Sequence, residues 1–453
     1  MKGFNNLVLY IVLLLALLFF FIPSPPESST MLKLLYIVIN ILILVRVKYK
    51  YGTFFNLLTI FLVLVLYFNG TRIILDLFGY DDMRRLSFFS EELISEINNS
   101  RALLNINIGI IAVALGYLWL KPGPSKIEDT SWGNMDVFLL LFFLVGFLAK
   151  LYVSYLSFSF ISLLSYYDFF TEGLVIPKYL KILSSLPVFV CLVKFREGKG
   201  GWWIVAMFVY AILSMATGQR GPGMLLFVMT FYMCVKMNFI NVGILNICII
   251  IVFVVATTVV VGMLRVAGDV DSEFSVLEFL WKQGVSISVL QLTVQHADLL
   301  DYNFYDLFGN ISQWLDRTFF ERGKVVDILT DMANHKVWSQ YVSYRFNPKL
   351  FSLGYGLGGN FFGQAYAVGR EFAVFVISFF SGLFLHFMEK KLFSKNVIMV
   401  YVSFTVLCSF IYIPRDNLLD FVTDFVVPLY VLVIFLFIRV LVNDGKKQLS
   451  SFN

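Results

Sequence analysis

Charged residues are scarce in this chain of 453 residues. Asp, Glu, Lys and Arg together make up 14% of the sequence, whereas soluble domains carry about 25%. Hydrophobic residues make up 59%, against about 45–50% in soluble proteins. So few charges cannot cover the apolar surface of a soluble globule of this size, and so high an apolar content excludes intrinsic disorder. The composition therefore indicates an all-α polytopic membrane protein.

Cysteine is also rare, and several common motifs are missing. The four cysteines all lie within apolar stretches, which is typical of small core residues and argues against a disulfide framework or a metal site. The chain has no phosphate-binding Gly-Lys-Ser/Thr loop, dinucleotide fingerprint or HExxH motif, so we do not expect ATP hydrolysis. A net charge of +5 is too small to predict binding to nucleic acid.

Two acidic pairs are the only sequence features that resemble metal ligands. They are Asp81-Asp82 and the pair formed by Asp269 and Asp271. Neither pair has a third oxygen ligand at a useful spacing, and divalent cations such as Ca²⁺ take several oxygen ligands. We therefore expect no metal and no other cofactor.

Long apolar runs are what the sequence has in abundance. A membrane-crossing helix needs about 20 mostly apolar residues, and about twelve stretches meet that requirement. The first follows Lys2 but lacks a small-residue cleavage site, so we interpret it as a retained anchor rather than a signal peptide. The expected spans cover residues 5–23, 31–47, 53–69, 102–120, 136–157, 174–194, 202–218, 222–239, 241–264, 371–388, 394–413 and 420–441.

Lysine and arginine are placed so that they predict an orientation. If the N-terminus is cytoplasmic, every connection on the inner side is basic, as the positive-inside rule requires. Both termini are then cytoplasmic. The chain is expected to divide into nine spans over residues 1–264, a large outer loop over 265–370, and three spans with a tail over 371–453. Long loops are usually functional, and the apolar rhythm of Phe274–Val294 predicts interfacial or re-entrant helices within this one.

Arginine is frequent on the expected outer side, which runs against the positive-inside tendency. A guanidinium group can bind phosphate or carboxylate with two parallel hydrogen bonds. The alternative is pairing with Asp or Glu in the same loops, which we favour for Arg72, Arg84, Arg85, Arg101, Arg317 and Arg322. Four arginines lie at the expected outer ends of spans, where an unpaired charge is costly, and for them both explanations stay open: Arg220, Arg265, Arg370 and Arg415.

A few other titratable residues are candidates for chemistry. Lys150 lies in the outer half of the fifth expected span, where it either binds substrate or extends its charge to the surface. His296 and His335 lie in the large loop, and each is either a base that titrates near neutral pH or a structural histidine. Carboxylates in the same loop are further base candidates, namely Asp269, Asp271, Glu273, Asp298 and Asp301.

Four local features of the C-terminal part of the chain occur together in a known family. They are the turn Gly218-Gln219-Arg220, the segment Gly358-Gly359-Asn360-Phe361-Phe362-Gly363-Gln364-Ala365-Tyr366, a following span with Gly382, and the last outer turn Arg415-Asp416. Over somewhat more than the C-terminal half, the chain thus resembles the Wzy family of bacterial O-antigen and oligosaccharide repeat-unit polymerases. Arg370-Glu371 departs from the more neutral segment expected at that place.

The resemblance implies an enzyme of the bacterial inner membrane that works on its periplasmic face. Such an enzyme transfers a glycan linked to undecaprenyl pyrophosphate onto a new lipid-linked repeat unit, without a nucleotide sugar or a metal. The fold is expected to be similar to those of the multispan, GT-C-like glycosyltransferases that use lipid-linked sugars. The expected partners are the lipid-linked glycans, membrane lipid and, by family alone, a chain-length regulator protein. No nucleic acid is expected.

The resemblance also assigns roles to the candidate residues. Arg220, Arg265, Arg345 and Arg415 are expected to bind the pyrophosphate and stabilise the transition state, with His296 or Asp269 as the base. Aromatic faces of the loop either stack on sugar rings or anchor the loop at the membrane interface, and for any single one we favour anchoring: Tyr302, Tyr305, Trp314, Tyr341 and Tyr344. The remaining substrate-binding candidates are Lys150, Arg370, His335 and Asp416.

Two other functions stay open at this point. A flippase for lipid-linked oligosaccharides would have a similar number of spans, but we find no internal repeat of the kind many transporters have. An O-antigen ligase would share the fold and the arginines, and the histidines of the large loop keep that alternative open. The sugars, the linkage and the identity of the base do not follow from the sequence.

Overall fold

The computed structural model describes residues 29–85, 93–121, 136–163, 177–216, 220–240, 275–320, 334–352 and 356–450. Within these ranges the chain is helical and contains no β-strand, with one isolated bridge between Arg85 and Leu93. The all-helical fold class expected from the sequence is confirmed for this part of the chain. In chain order the α-helices are α1 (Thr30–Tyr51), α2 (Leu57–Val65), α3 (Thr71–Leu77), α4 (Glu96–Trp119), α5 (Asp136–Leu163), α6 (Lys178–Arg196), α7 (Trp202–Ala216), α8 (Arg220–Lys236), α9 (Val276–Gln283), α10 (Ser286–Gln295), α11 (Gly309–Leu315), α12 (Trp338–Phe346), α13 (Pro348–Ser352), α14 (Phe361–Leu392), α15 (Val397–Phe410), α16 (Asp420–Asp424) and α17 (Val426–Ser450).

Seven helical segments of the described chain are long and apolar enough to cross a membrane. They coincide with the second to fifth and the last three of the spans expected from the sequence. The expected spans at 174–194, 202–218 and 222–239 form α6, α7 and α8, but α7 has 15 residues and α8 has 17, which is short for a span. The expected spans at 5–23 and 241–264 lie outside the described residues, so the count of twelve stays a prediction.

The chain folds as two compact units. Unit 1 comprises Met1–Gly123, Asp271–Lys390 and Phe410–Asp420, and unit 2 comprises Pro124–Val270, Lys391–Ser409 and Phe421–Asn453. In unit 2, α6 packs against α17 through Phe189 and Phe435, whose ring centroids are 4.0 Å apart.

Helices α4 and α14 of unit 1 approach so closely that their backbones touch. A Cβ atom added at Gly382 would collide with the carbonyl oxygen of Val113, and one added at Gly116 would collide with that of Phe379. Small residues allow membrane helices to pack at this distance. Gly382, noted in the sequence as part of the family pattern, therefore has a packing reason.

The helix α14 consists of two segments separated by a kink, and the second begins at Glu371, where the span at 371–388 was expected to start. The first segment, before the kink, was not expected from the sequence. Asn360 precedes the helix, and its Oδ1 atom accepts hydrogen bonds from the N–H groups of Phe362 at 2.9 Å and Gly363 at 3.2 Å. This is an N-cap, which allows a helix to begin inside a glycine-rich segment. The helical conformation is interrupted at Gly369 and Arg370, and Arg370 has φ +54° and ψ −149°.

The expected apolar helix over Phe274–Val294 is two helices, α9 and α10, separated at Gly284. At Gly284 an added Cβ would lie 2.5 Å from Thr71 Oγ1 and 2.7 Å from Cγ of Arg72. At this break the backbone of Gly284 packs directly against the start of α3. Glycine is required there because a side chain would not fit at this contact. The two short helices thereby place α10 beside the buried end of α2.

We predict that Gly382→Ala lowers the thermal stability of the detergent-purified protein, because the new methyl group must push α4 and α14 apart. Overpacking of this kind costs about 1–3 kcal/mol. The matched control is Gly363→Ala in the same helix, since a Cβ there would meet its nearest neighbours at 3.4 Å, an ordinary contact. Equal melting temperatures for the two variants would contradict the close-packing account.

Candidate functional site

The ends of several unit 1 helices meet at the side chain of Asn360. Its Nδ2 atom donates to Asn69 Oδ1 and to the carbonyl oxygen of Ser286, both at 2.7 Å. Its Oδ1 atom caps α14, as described above. Asn360 and Asn69 are both fully buried, so these amides fix the ends of α2, α10 and α14 relative to each other.

The glycine-rich segment is bound to the turn Arg415-Asp416, which the sequence places last on the expected outer side. The N–H of Gly359 donates to the carbonyl oxygen of Arg415 at 3.0 Å, and Asn69 Nδ2 donates to that of Pro414 at 3.3 Å. An added Cβ at Gly359 would lie 2.6 Å from the carbonyl carbon of Asp416, so the two segments touch through their backbones. Two motifs far apart in the sequence thus form one site.

Arg415 is the half-buried cation of this site. Its Nη1 atom donates to Gln283 Oε1 at 3.3 Å, and its guanidinium lies 5.2 Å from the centroid of the Phe68 ring. Within the described residues no carboxylate forms an ion pair with it. A fixed guanidinium without a carboxylate partner is suited to an anionic ligand.

Arg72 is a second arginine of the same region, and it does not form the ion pair with an Asp or Glu of its own loop that we favoured from the sequence. It is 3% exposed. Its Nε atom donates to the carbonyl oxygen of Trp281 at 2.9 Å, its Nη1 atom donates to Ser288 Oγ at 2.7 Å, and its guanidinium lies 4.9 Å from the Trp281 ring. Arg72 therefore holds α9 and α10 against α3. By contrast, Arg84 pairs with Asp82, as expected.

Asn417 connects the last outer turn to α12. Its Oδ1 atom accepts the N–H of Ser339 at 2.7 Å, in the first turn of that helix, and its Nδ2 atom donates to Ser339 Oγ at 3.2 Å. The same nitrogen lies 2.8 Å from Asp420 Oδ2 and 3.3 Å from Asp416 Oδ1. Asp416 and Asp420 share a hydrogen bond. The turn therefore presents a carboxyl pair next to Arg415.

A chain of hydrogen bonds leads from this turn into the large loop. Leu418 N–H donates to Gln364 Oε1, Gln364 Nε2 donates to the Tyr302 hydroxyl, both at 2.8 Å, and that hydroxyl donates to the carbonyl oxygen of Asp306 at 2.9 Å. The Tyr302 ring packs on Trp338 at 4.8 Å, and burial raises the pKa of Tyr302 above its ordinary value. Tyr302 is 5% exposed, so its ring is not accessible for stacking on a sugar.

Three other candidates lie around the single turn that follows α10. Arg345 Nη2 donates to the carbonyl oxygen of Leu299 at 3.4 Å, and Arg370 Nη2 donates to Asp298 Oδ1 at 2.6 Å. The ring of His296, at the start of the turn, lies 5.3 Å from that of Phe346, the neighbour of Arg345. The structure thus brings His296, Arg345 and Arg370 to one place.

The other candidate residues either lie apart from the residues described above or fall outside the part of the chain that the structure describes. His335 is buried, with Nδ1 2.9 Å from Ser312 Oγ and Nε2 3.3 Å from Asp316 Oδ2. Tyr344 packs on Phe351. In unit 2, the ammonium group of Lys150 is buried 5.1 Å from the Tyr210 ring. Arg265 and Asp269 lie outside the described residues, and of Arg220 only the backbone is described.

Metal ligands do not cluster in the part of the chain that the structure describes: no group of three His, Cys, Asp or Glu side chains is arranged to hold an ion there. Within the same part, the cysteines Cys191, Cys234 and Cys408 form no disulfide. The cation next to the carboxyl pair of Asp416 and Asp420 is Arg415.

These features define an all-helical, multi-pass membrane protein with a polar, arginine-bearing site at the ends of its helices. The chain belongs to the O-antigen polysaccharide polymerase Wzy family, whose family model matches residues 6–444. The resemblance drawn from four short motifs is therefore confirmed over nearly the whole chain. No curated protein and no solved structure matches it.

We predict that Arg72→Lys destabilises the protein. Lysine keeps the charge but lacks the planar fork, so it cannot satisfy both the Trp281 carbonyl and Ser288 Oγ while lying on the indole ring. A buried polar group left without a partner costs about 1–3 kcal/mol. The measurement is thermal unfolding in detergent, with the exposed Arg317→Lys as the matched control. Unchanged melting of Arg72→Lys would show that the two hydrogen bonds do not hold α9 and α10.

Proposed function

We propose that this O-antigen polymerase joins repeat units linked to undecaprenyl pyrophosphate on the periplasmic face of the bacterial inner membrane, with both chain termini in the cytoplasm. The family supports polymerisation in general. The observation that carries the finer proposal is the backbone hydrogen bond between Gly359 and Arg415. It joins the glycine-rich segment to the turn that carries the Arg415 guanidinium, with which no described carboxylate forms an ion pair.

The proposed reaction is a displacement at the anomeric carbon of the donor glycan. A hydroxyl oxygen of the acceptor sugar forms a bond to that carbon, while the bond from the carbon to the pyrophosphate oxygen breaks. The hydroxyl proton passes to a base, and undecaprenyl pyrophosphate leaves with the bonding electron pair. The donor is already activated, so the protein has to position two glycans and stabilise the charge of the leaving group.

Arg415 has the environment that this task requires. Gln283 and Phe68 both contact its guanidinium, so little reorganisation is needed when negative charge develops on the leaving group. One such preorganised donor contributes about 2.7–4 kcal/mol to transition-state stabilisation in enzymes with an oxyanion hole. A lipid-linked pyrophosphate enters from the bilayer with its head group at the boundary, and the ends of membrane helices are where its partner has to lie.

The turn after α10 is the proposed second half of the site. Arg345 is exposed there. Arg370 is held at the same turn by its ion pair with Asp298. His296 is the base candidate at this turn, and Asp416 is the carboxylate next to Arg415. Arg220, Arg265 and Asp269 keep the roles proposed from the sequence. Arginine supplies the positive charge, and the proposal includes no metal.

The partners in this proposal are the two lipid-linked glycans and the surrounding membrane lipid. A chain-length regulator protein is proposed from the family alone. The earlier alternatives, a flippase and an O-antigen ligase, become distinguishable outcomes of the experiment that follows.

We predict that Arg415→Lys strongly reduces O-antigen polymer at matched membrane levels, because the ammonium group keeps the charge but loses the bidentate geometry. The measurement is the ladder of polymer on a gel from cells that express each variant in place of the wild type. The matched control is the exposed Arg317→Lys in the large loop, which should give the full ladder, since exposed pairs contribute about 0–1 kcal/mol.

The pattern of loss separates the alternatives. A polymerase defect leaves a single repeat unit on the lipopolysaccharide core, a ligase defect removes that unit as well, and a flippase defect leaves nothing outside to attach. A normal ladder from Arg415→Lys would contradict the role of this arginine, whatever the family.

A further inference from the structure

A second polar feature of unit 1 takes no part in the site described above. A cavity of about 510 Å³ lies at the N-terminal ends of α1 and α4 and beside the segment that follows α3. It is an open groove with a polar lining, so it is suited to a hydrophilic ligand rather than an apolar one. The charged residues that line it are Lys33, Asp76, Asp81, Asp82, Arg84, Arg85 and Glu96.

Charges of both signs alternate around this cavity. Lys33 Nζ lies 2.7 Å from Asp76 Oδ2. Arg84 lies 2.6 Å from Asp82 and 3.4 Å from Glu96. The hydrogen bond from Arg84 holds the pKa of Asp82 below its ordinary value, so this group is a carboxylate at neutral pH. The walls therefore offer hydrogen-bond donors and acceptors side by side, with little excess of either charge.

This pattern selects the chemical class of the ligand. The carboxylates disfavour a pyrophosphate, and the cations paired with them disfavour a bare metal ion. A sugar hydroxyl donates one hydrogen bond and accepts others, so it can bridge a carboxylate and a neighbouring cation. Lys33 is 8% exposed, and its pairing with Asp76 holds the wall in place before a ligand arrives, which lowers the entropic cost of binding.

The cavity and the candidate site share a rigid framework. Asp76 lies seven residues after Asn69 along one helical segment, which is about 10 Å along a helix axis. The carbonyl oxygen of Met83 accepts a hydrogen bond from Gln291 Nε2 at 3.2 Å, and the same nitrogen donates to Asn99 Oδ1 at 2.9 Å. Gln291 belongs to α10, whose first residue is held by Asn360. A glycan bound in the cavity would therefore lie at a fixed distance from the candidate site around Asn360 and Arg415.

We propose that this cavity binds the sugar part of a lipid-linked glycan, as a carbohydrate subsite separate from the pyrophosphate site. The inference rests on the proposed function, because that function supplies the glycan. Such a subsite retains a chain between successive additions, so it favours long polymer over short polymer.

The test uses the full-length protein purified in detergent, with the repeat-unit oligosaccharide released from the source strain's lipopolysaccharide by mild acid as the probe. Thr30 is exposed and lines the cavity, so Thr30→Trp should fill it and weaken binding of the oligosaccharide at least tenfold. Leu34→Trp, on the same helix at a position 51% exposed, is the matched control. In cells, Thr30→Trp should shift the polymer ladder towards short chains, and Leu34→Trp should not.

Arg85→Ala keeps the inference testable if Thr30→Trp fails to fold, because the Arg85 side chain is 67% exposed and its loss should not affect folding. It should weaken binding as well. Wild-type affinity in whichever of the two variants folds would overturn the inference, as would the absence of any binding by the wild type. If Arg415→Lys leaves the polymer ladder intact while Thr30→Trp still abolishes oligosaccharide binding, the proposed pyrophosphate site at Arg415 fails and the subsite stands.

Discussion

The arrangement of unit 1 depends on the side-chain amide of Asn360. Its nitrogen donates to Asn69 and Ser286, and its oxygen accepts the N–H groups of Phe362 and Gly363, so all four of its hydrogen-bonding positions are used. Apolar surroundings provide no water to replace a lost partner, and a buried amide is tolerated there only when its bonds are made. One side chain thus starts α14 and sets where the ends of three helical segments meet.

Two kinds of electrostatic environment are built on this framework. Around Arg415, amide groups and an aromatic ring hold a cation without a carboxylate partner in the described chain, which suits an anionic head group. Around Lys33 and Arg84, each cation lies against a carboxylate, which suits a neutral polyhydroxyl ligand. A polymerase of lipid-linked glycans has to recognise both chemistries in one substrate. The structure separates them by position while anchoring both to the helical segment that contains Asn69.

The sequence predicted the helical fold well, because apolar runs of membrane length leave few alternatives. It identified the glycine-rich segment and the Arg415 turn as motifs of one family, but not the backbone contact between them. It missed the burial of Arg72, whose partner Trp281 is 209 residues away in the chain, so no local pattern reports the contact. The helical segment of α14 before the kink was predictable in principle, since an asparagine before an apolar run is an N-cap signal. The glycines beside it hid that signal, because glycine usually indicates a loop.

The central claim is that the guanidinium of Arg415 binds the pyrophosphate of the lipid carrier. The most direct measurement is the shift in melting temperature that undecaprenyl pyrophosphate causes in purified wild-type protein and in the Arg415→Gln variant. A ligand at 100 times its Kd stabilises the folded state by about 2.7 kcal/mol, so the account predicts a clear rise for the wild type and little or none for the variant. An equal rise in both proteins would contradict it.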